Sequence, residues 1–238
     1  MKGIPRPPRA ILFDVFGTVF DWRGSIIDEG RTWGEERDID VDWARFADEW
    51  RGRYRPSLDR VRRNEIPWTK LDDLHRESLR AISANFKIAL SEEEAGHWNR
   101  VWHRLKPWPD VVPGLTRLKE RFTIAPLSNG NLSMLTALAK HAKLPWDVIF
   151  SADLTKHYKP DPEVYLGASD FLDLAPEEIM LVAAHFYDLN AARALGFQTG
   201  FVYRPLESGK GGSADKAVPG QFDVVANDLV DLATQLRA

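Results

Sequence analysis

The chain predicts a doubly wound α/β protein: a parallel sheet carrying helices on both faces, interrupted by one all-helical insertion. Three observations carry this. Short apolar runs, AILFD, FTIAPLSNG, DVIFSA, IMLVAAH, QTGFVY and FDVVAN, each lead into a polar loop and then a helix-like stretch. Such runs are near-continuous rather than alternating, as strands buried on both faces require. Between residues 22 and 107 these runs vanish and apolar residues recur at helical spacing instead. Polar and charged residues gather just after the runs, where a parallel sheet of this kind presents its functional rim.

Taken in order, the start MKGIPRPPRA is basic but Pro-rich, and it runs straight into a strand without the apolar core or small-residue cleavage site of a signal peptide. The first strand ends at Asp14. The insertion over 22–107 includes VDWARFADEWRGRYRPSLDRVRR and WTKLDDLHRESLRAISANF, both charged and helical in period. Its return, KPWPDVVPG, reads as a hinge. The expected organisation is therefore a core of 1–21 and 108–238 with a cap of 22–107. Of the nine Trp residues, only Trp146 lies beyond Trp108; packing of cap helices is the ordinary use of so many indoles, and a ligand pocket at the boundary with the sheet is the alternative. Asp161-Pro162 and Pro176 have the chemistry of helix starts. ESGKGGSADK reads as an ordinary flexible surface loop.

With 238 residues and 27.1 kDa the chain can bury a substantial core. Its 32 basic and 35 acidic side chains give a net charge of −3, so no broad cationic field invites nucleic acid or an anionic membrane. A local basic pocket remains compatible with a small anionic ligand. The absence of Cys excludes disulfides, thiolate metal sites and thiol nucleophiles, and fits a reducing compartment. No apolar stretch reaches transmembrane length. The expectation is a cytoplasmic protein without nucleic-acid or membrane partners.

The chemistry begins at ILFDVFGTVFDW, where Asp14 closes a strand and Phe16-Gly17-Thr18 turns the backbone so that Thr18 can aim its hydroxyl back at the carboxylate. Alone, such an Asp is more often a turn cap. Later loops change that reading: Ser128-Asn129-Gly130, Lys159-Pro160, and His185 with Asp188 bring polar groups to the same rim. The ordered set Asp-x-Phe-Gly-Thr, Leu-Ser-Asn-Gly, Lys-Pro-Asp-Pro-x-x-Tyr and a final strand-end Asp resembles the haloacid dehalogenase superfamily, and within it the L-2-haloacid dehalogenases, over nearly the whole chain.

The resemblance implies a Rossmann-type parallel-sheet core with a helical cap and metal-independent hydrolysis of short 2-haloalkanoic acids. The superfamily's phosphatases resemble one another in a second Asp two residues after the first, and in further acidic groups that hold Mg²⁺. Here the first place is Phe16, and the last motif, AAHFYD, offers only Asp188. Phosphoryl transfer would lack its acid and much of its metal site. Displacement at carbon needs neither, so no cofactor and no metal are expected. A phosphatase of the same fold, or an inactive binding protein, are the alternatives.

By resemblance, Asp14 is the nucleophile that forms an aspartyl ester, which water then hydrolyses. An anionic substrate and Asp14 about 4 Å apart repel by about 4 kcal/mol at an effective dielectric near 20, so nearby cations are required. Lys159 is the first candidate, with Ser128 and Thr18 as hydrogen-bond donors to the substrate or to Asp14. Asp188 balances Lys159 and orients water, or forms a purely structural ion pair. Tyr165 either hydrogen-bonds near Lys159 or packs in the core. Arg51, Asn129, Phe16 and Tyr165 are the substrate- and halide-binding candidates, with Arg53 and Arg55 as alternatives to Arg51. Where members commonly carry Ser and Asn, this chain has Ala183 and His185. His185 then accepts a proton during ester hydrolysis, donates as imidazolium to the departing anion, or rests on a backbone carbonyl. An added donor would suit fluoroacetate. The resemblance also suggests a homodimer.

Overall fold

The computed structural model describes residues 7–238, so residues 1–6 of the expected core and the leading MKGIPR lie outside the described residues. β1 (Ala10–Phe13) is followed by the two-residue β2 (Phe20–Asp21) and by the cap helices α1 (Trp22–Glu35), α2 (Trp43–Gly52), α3 (Tyr54–Arg62), α4 (Leu71–Asn85) and α5 (Glu92–Asn99). A 3-10 turn, Arg100–His103, leads to β3 (Lys106–Pro107), which pairs antiparallel with β2. The hinge expected at KPWPDVVPG is thus a two-stranded neck. Then follow α6 (Val111–Lys119), β4 (Thr123–Ser128), α7 (Leu132–His141), β5 (Phe150–Ser151), α8 (Ala152–Thr155), α9 (Pro162–Leu172), β6 (Ile179–Ala183), α10 (Phe186–Ala194), β7 (Gln198–Val202), β8 (Val224–Ala226) and α11 (Leu229–Gln235).

Each of the six apolar runs forms a strand of one parallel sheet in the order β5-β4-β1-β6-β7-β8. β1 lies between β4 and β6, with Phe13 opposite Pro126 and Val182. Its four residues are all buried, which is why its sequence carries no polar alternation. Asp14, the next residue, donates its amide to Val182 O at 2.9 Å and so starts its loop at the sheet's carboxyl edge.

The charged segment over 41–63 is helical, as expected, in two pieces: α2 ends at Gly52 and a new helix begins at Tyr54 with Pro56 in its first turn, where the missing N–H costs nothing. Two local expectations are corrected. Pro162 does open α9, but the Asp161 carboxylate leaves the helix end uncapped and instead binds Arg62 of the cap at 2.9 Å. Pro176 starts only a 3-10 turn, since Ile179 onward is drawn into β6.

Most indoles pack the cap. Trp43 and Trp98 stack with centroids 5.5 Å apart, and Trp33 meets Trp98 edge-on at 5.7 Å. Pairs of this kind add about 0.5–1.5 kcal/mol each beyond the area they bury. Trp22, Trp50 and Trp102 continue the cluster down to Phe16, joining cap and sheet in one apolar core. No helix among the described residues is long and apolar enough to cross a membrane.

Candidate active site

Four carboxyl-end loops converge on Asp14. The Phe16-Gly17-Thr18 turn brings the Thr18 hydroxyl back to donate to Asp14 Oδ2 at 2.8 Å, as the sequence predicts. That hydroxyl accepts the Ala184 amide at 2.9 Å, so its hydrogen is directed at the carboxylate. Buried Arg204, bidentate to Asp110, donates from Nε to the Thr18 carbonyl at 2.8 Å and pins the turn. Lys159, delivered by the loop before α9, places Nζ 3.4 Å from Asp14 Oδ1 and 2.6 Å from Asp188 Oδ2. Asp188, in the first turn of α10, receives the Tyr165 hydroxyl at 2.6 Å on its other oxygen.

Tyr165 thus hydrogen-bonds beside Lys159, as expected, through the Asp188 carboxylate they share, and it also packs in the core. It lines neither of the cavities that reach the cluster, which sets it apart from a substrate-binding role. Ser128 accepts the Gly130 amide at 3.1 Å, which fills a lone pair and leaves its hydroxyl hydrogen to donate. It makes no bond to Asp14, so of its two expected acceptors the one that stands is a substrate carboxylate. Asn129 accepts the Lys159 amide at 2.7 Å and donates to the Tyr54 hydroxyl at 3.1 Å, which leaves one amide hydrogen for a ligand. Arg51, in the last turn of α2, lies over the Tyr54 ring at 4.1 Å and the Trp22 ring at 5.3 Å, and its buried Nη1 has no hydrogen-bond partner. Phe16, 6.0 Å from that guanidinium, packs edge-on to Trp102. Arg53 and Arg55 are both exposed, and Arg55 sits over Tyr187 at 4.1 Å.

His185 holds neither a backbone carbonyl nor a free lone pair. Its Nδ1 is 3.1 Å from Asp14 Oδ2, and its Nε2 is 3.0 Å from both oxygens of Glu207. Glu207 is the residue that sequence reading missed. It opens ESGKGGSADK, whose composition predicts an ordinary surface loop, yet its carboxylate is turned inward and also accepts Trp22 Nε1 at 3.1 Å. From the same loop, Asp215 accepts the Phe186 amide at 2.7 Å. Nothing in local composition marks Glu207; the available signal was its place in the loop after a strand of the parallel sheet, where any loop can reach the rim.

Gly17 makes this possible. Its φ is +88°, and a Cβ there would fall 2.0 Å from Glu207 Oε1. Gly17→Ala is expected to strain the turn and expel the Glu207 carboxylate, lowering turnover at least as much as Glu207→Ala does. Steady-state kinetics of the two variants check this; a Gly17→Ala enzyme with wild-type kcat would show that the close approach has no functional weight.

Two cavities reach the cluster. One of about 610 Å³ is lined by Trp22, Arg51, Arg55, His185, Tyr187 and Glu207 among others. A narrower one of about 170 Å³ leads past Tyr54 and Arg62 to Asn129 and Lys159.

The electrostatics follow from this packing. Burial, the strongest influence on Asp14, opposes its charge; the Lys159 charge, the His185 bond and the Thr18 hydroxyl outweigh it and hold the carboxyl well below its ordinary range. Burial also opposes a charge on His185, but its bonds to Asp14 and Glu207 raise it from 6.5 to about 10. At neutral pH it is an imidazolium that donates from both nitrogens, so in the resting site it cannot accept a proton. Burial and the Asp14 charge push Asp188 up while Lys159 draws it down. The ion pair prevails, because Lys159 is raised by Asp188 and Asp14 against the pull of burial, and a neutral Asp188 would forfeit the 2.6 Å charged contact.

These shifts set the pH dependence of stability. The raised His185 stabilises fully below pH 6.5, and its contribution is lost as pH climbs through about 10. The depressed Asp14 stabilises above its ordinary value of 3.8 and loses that contribution as pH falls below it. Urea midpoints of wild type and His185→Gln from pH 6 to 10.5 are expected to converge at the alkaline end. Parallel curves would contradict the assignment.

Residues 8–196 match the family model described as haloacid dehalogenase-like hydrolase. The chain belongs to that family. Among solved structures it is similar to the crystal structure of an L-2-haloacid dehalogenase at 50% identity, covering 97% of this chain and 99% of that one with a TM-score of 0.93. A defluorinating L-2-haloacid dehalogenase matches at 46% identity over 98% and 96% of the two chains, with a TM-score of 0.94. (S)-2-haloacid dehalogenase 1 of Pseudomonas sp. (strain CBS-3) is 29% identical over 211 residues, 81% of this chain and 83% of the relative. The haloacid dehalogenase-like fold with its helical cap is therefore the frame in which the Asp14 cluster is set.

Proposed function

We propose that this chain hydrolyses the carbon–halogen bond of short 2-haloalkanoic acids, yielding the 2-hydroxy acid and halide through an ester on Asp14. The observation that carries this reading is the state of Asp14: a buried, ionised carboxylate at a sheet edge whose Oδ1 keeps one long contact, 3.4 Å to Lys159. It has the lone pairs and the charge of a nucleophile. Phe16 occupies the place where a phosphatase's second acid would stand, and the cation between the two carboxylates is Lys159 Nζ.

In this scheme the anionic substrate enters between cap and sheet. Lys159 offsets its carboxylate charge, the spare Asn129 amide hydrogen and the unpaired Arg51 Nη1 receive the halide, and Phe16 and Tyr54 wall the reacting carbon. Asp14 Oδ1 attacks the α-carbon, the halide leaves with the bonding pair, and water then adds to Asp14 Cγ. Asp188 keeps Lys159 charged and in place. Haloacetates and 2-halopropionates fit this description, and the 46% identity to a defluorinating relative extends it to fluoroacetate.

The test is halide release from fluoroacetate, chloroacetate and each 2-chloropropionate enantiomer, with single turnovers in heavy-oxygen water. Label appearing in Asp14 rather than in the first-turnover hydroxy acid is expected. Phosphate release from p-nitrophenyl phosphate without any halide release would defeat the reading.

A further inference from the structure

Asp14 is held asymmetrically. Oδ2 takes two short donors, Thr18 Oγ at 2.8 Å and His185 Nδ1 at 3.1 Å, while Oδ1 faces only Lys159 at 3.4 Å. Attack on a carbon centre needs an unencumbered oxygen, which is Oδ1. If Oδ1 becomes the ester oxygen, Oδ2 becomes the carbonyl oxygen, and the two donors already on it lie where negative charge develops when water adds to Cγ. We propose that Thr18 and His185 form the oxyanion hole of the hydrolytic half-reaction, and that Glu207 is the positioning residue that keeps His185 available as its charged donor. This rests on the covalent reading above.

The chemistry balances. The oxygen of water bonds to Asp14 Cγ and the carbonyl π pair moves onto Oδ2. On collapse that pair reforms the double bond and Cγ–Oδ1 breaks, so Oδ1 leaves as the hydroxyl oxygen of the product. One water proton ends on that hydroxyl and the other passes to solvent. Lys159, beside Oδ1, faces the oxygen that departs.

Preorganisation is built into both donors. The Ala184 amide fills a lone pair of Thr18 Oγ and directs its hydrogen at Oδ2. Both oxygens of Glu207 engage His185 Nε2, Trp22 holds Glu207 in turn, and Gly17 leaves the room the carboxylate occupies. Esterification removes the negative charge of Asp14, so from that moment Glu207 is the anion that sustains the imidazolium. Other charged or titratable groups around His185 are Lys159 beside Asp14, Arg51 and Arg55 from α2 and α3, Tyr187 from α10, and Asp215 from the loop that carries Glu207. Donors 2.7–3.1 Å from the oxyanion position are the geometry such a hole needs, and losing one costs about 10²–10³ in rate.

The experiment is rapid-quench kinetics with 2-chloropropionate on wild type, His185→Gln and Glu207→Gln, reading free halide and, by intact mass, the enzyme ester in the same samples. His185→Gln is expected to retain a halide burst of one equivalent per site while ester hydrolysis slows about 10²–10³-fold, so that the ester accumulates. Hydrolysis at the wild-type rate, or a halide burst that slows as much as hydrolysis does, overturns the proposal. A pH profile of hydrolysis of the accumulated ester separates a donor from a base. For wild type the rate is expected to hold through neutral pH and fall in the alkaline range, with the fall moved to lower pH in Glu207→Gln. A rate that rises through neutral pH would make His185 a general base and overturn the oxyanion assignment. Wild type that never labels Asp14 in heavy-oxygen water defeats the covalent reading, an outcome visible without any variant.

Discussion

An Asp14→Asn enzyme is expected to release halide at less than about 10⁻⁴ of the wild-type rate, because the ester cannot form and the rest of the site offers no replacement nucleophile. The structure explains why such an enzyme still folds. Lys159 keeps Asp188 at 2.6 Å, His185 keeps Glu207 at 3.0 Å, and Thr18 keeps the Ala184 amide, so each buried charge or donor retains a partner. An amide at position 14 fills the same volume between the same groups. The loss is therefore one of chemistry rather than of fold. Halide-electrode assays with circular dichroism of the same sample check both halves of the expectation. A variant that retains a tenth of the activity would require a different nucleophile.

Lys159→Met carries the largest expected cost to stability. It leaves Asp14 and Asp188 facing each other in the interior without the cation that lies between them, and breaking a buried pair from one side costs about 3–5 kcal/mol. For a chain of this size each kcal/mol lowers Tm by about 2–4 °C, so a fall of about 6–20 °C is expected. Activity should vanish as well, since one of the two carboxyls then takes up a proton at neutral pH. The double variant Lys159→Met/Asp188→Leu separates the two effects. Apolar groups of similar volume can replace a buried pair with little loss, so Tm is expected to recover most of the fall while activity stays absent. Thermal melts of the four enzymes in the cycle measure this. Recovery of activity together with Tm would show that Lys159 serves structure alone.

How much of the site was legible in the chain depended on the range of each interaction. Asp14 and Thr18 are four residues apart on one turn, so their bond is a local matter and could be read from Phe16-Gly17-Thr18. Lys159 and Asp188 were legible from motif order, because a parallel sheet delivers the ends of its strands to one rim. Tyr165 is expected near Lys159 and reaches it through Asp188, a carboxylate the two share, which chain order alone does not specify. For Ser128, only the folded turn shows that Gly130 fills a lone pair of its oxygen and leaves the hydrogen to donate. Arg51 was preferred over its neighbours, and its side chain does lie against the cavity, while Arg55 lines the same cavity from α3 and Arg53 turns outward.

By itself, then, the sequence determined the six-stranded parallel frame, the helical segment between the first strand and the neck, and the placing of Asp14 at the strand end, since apolar runs and strand-end polarity act over a few residues. Only the tertiary structure decided the electrostatic state of the site. His185 is held toward its charged form, against burial, by Asp14 on one side and on the other by Glu207, which folds back across the Gly17 turn from a loop that composition marks as ordinary. A pKa is set by burial and by charges within a few ångströms, and proximity between residues far apart in the chain exists only once the chain has folded.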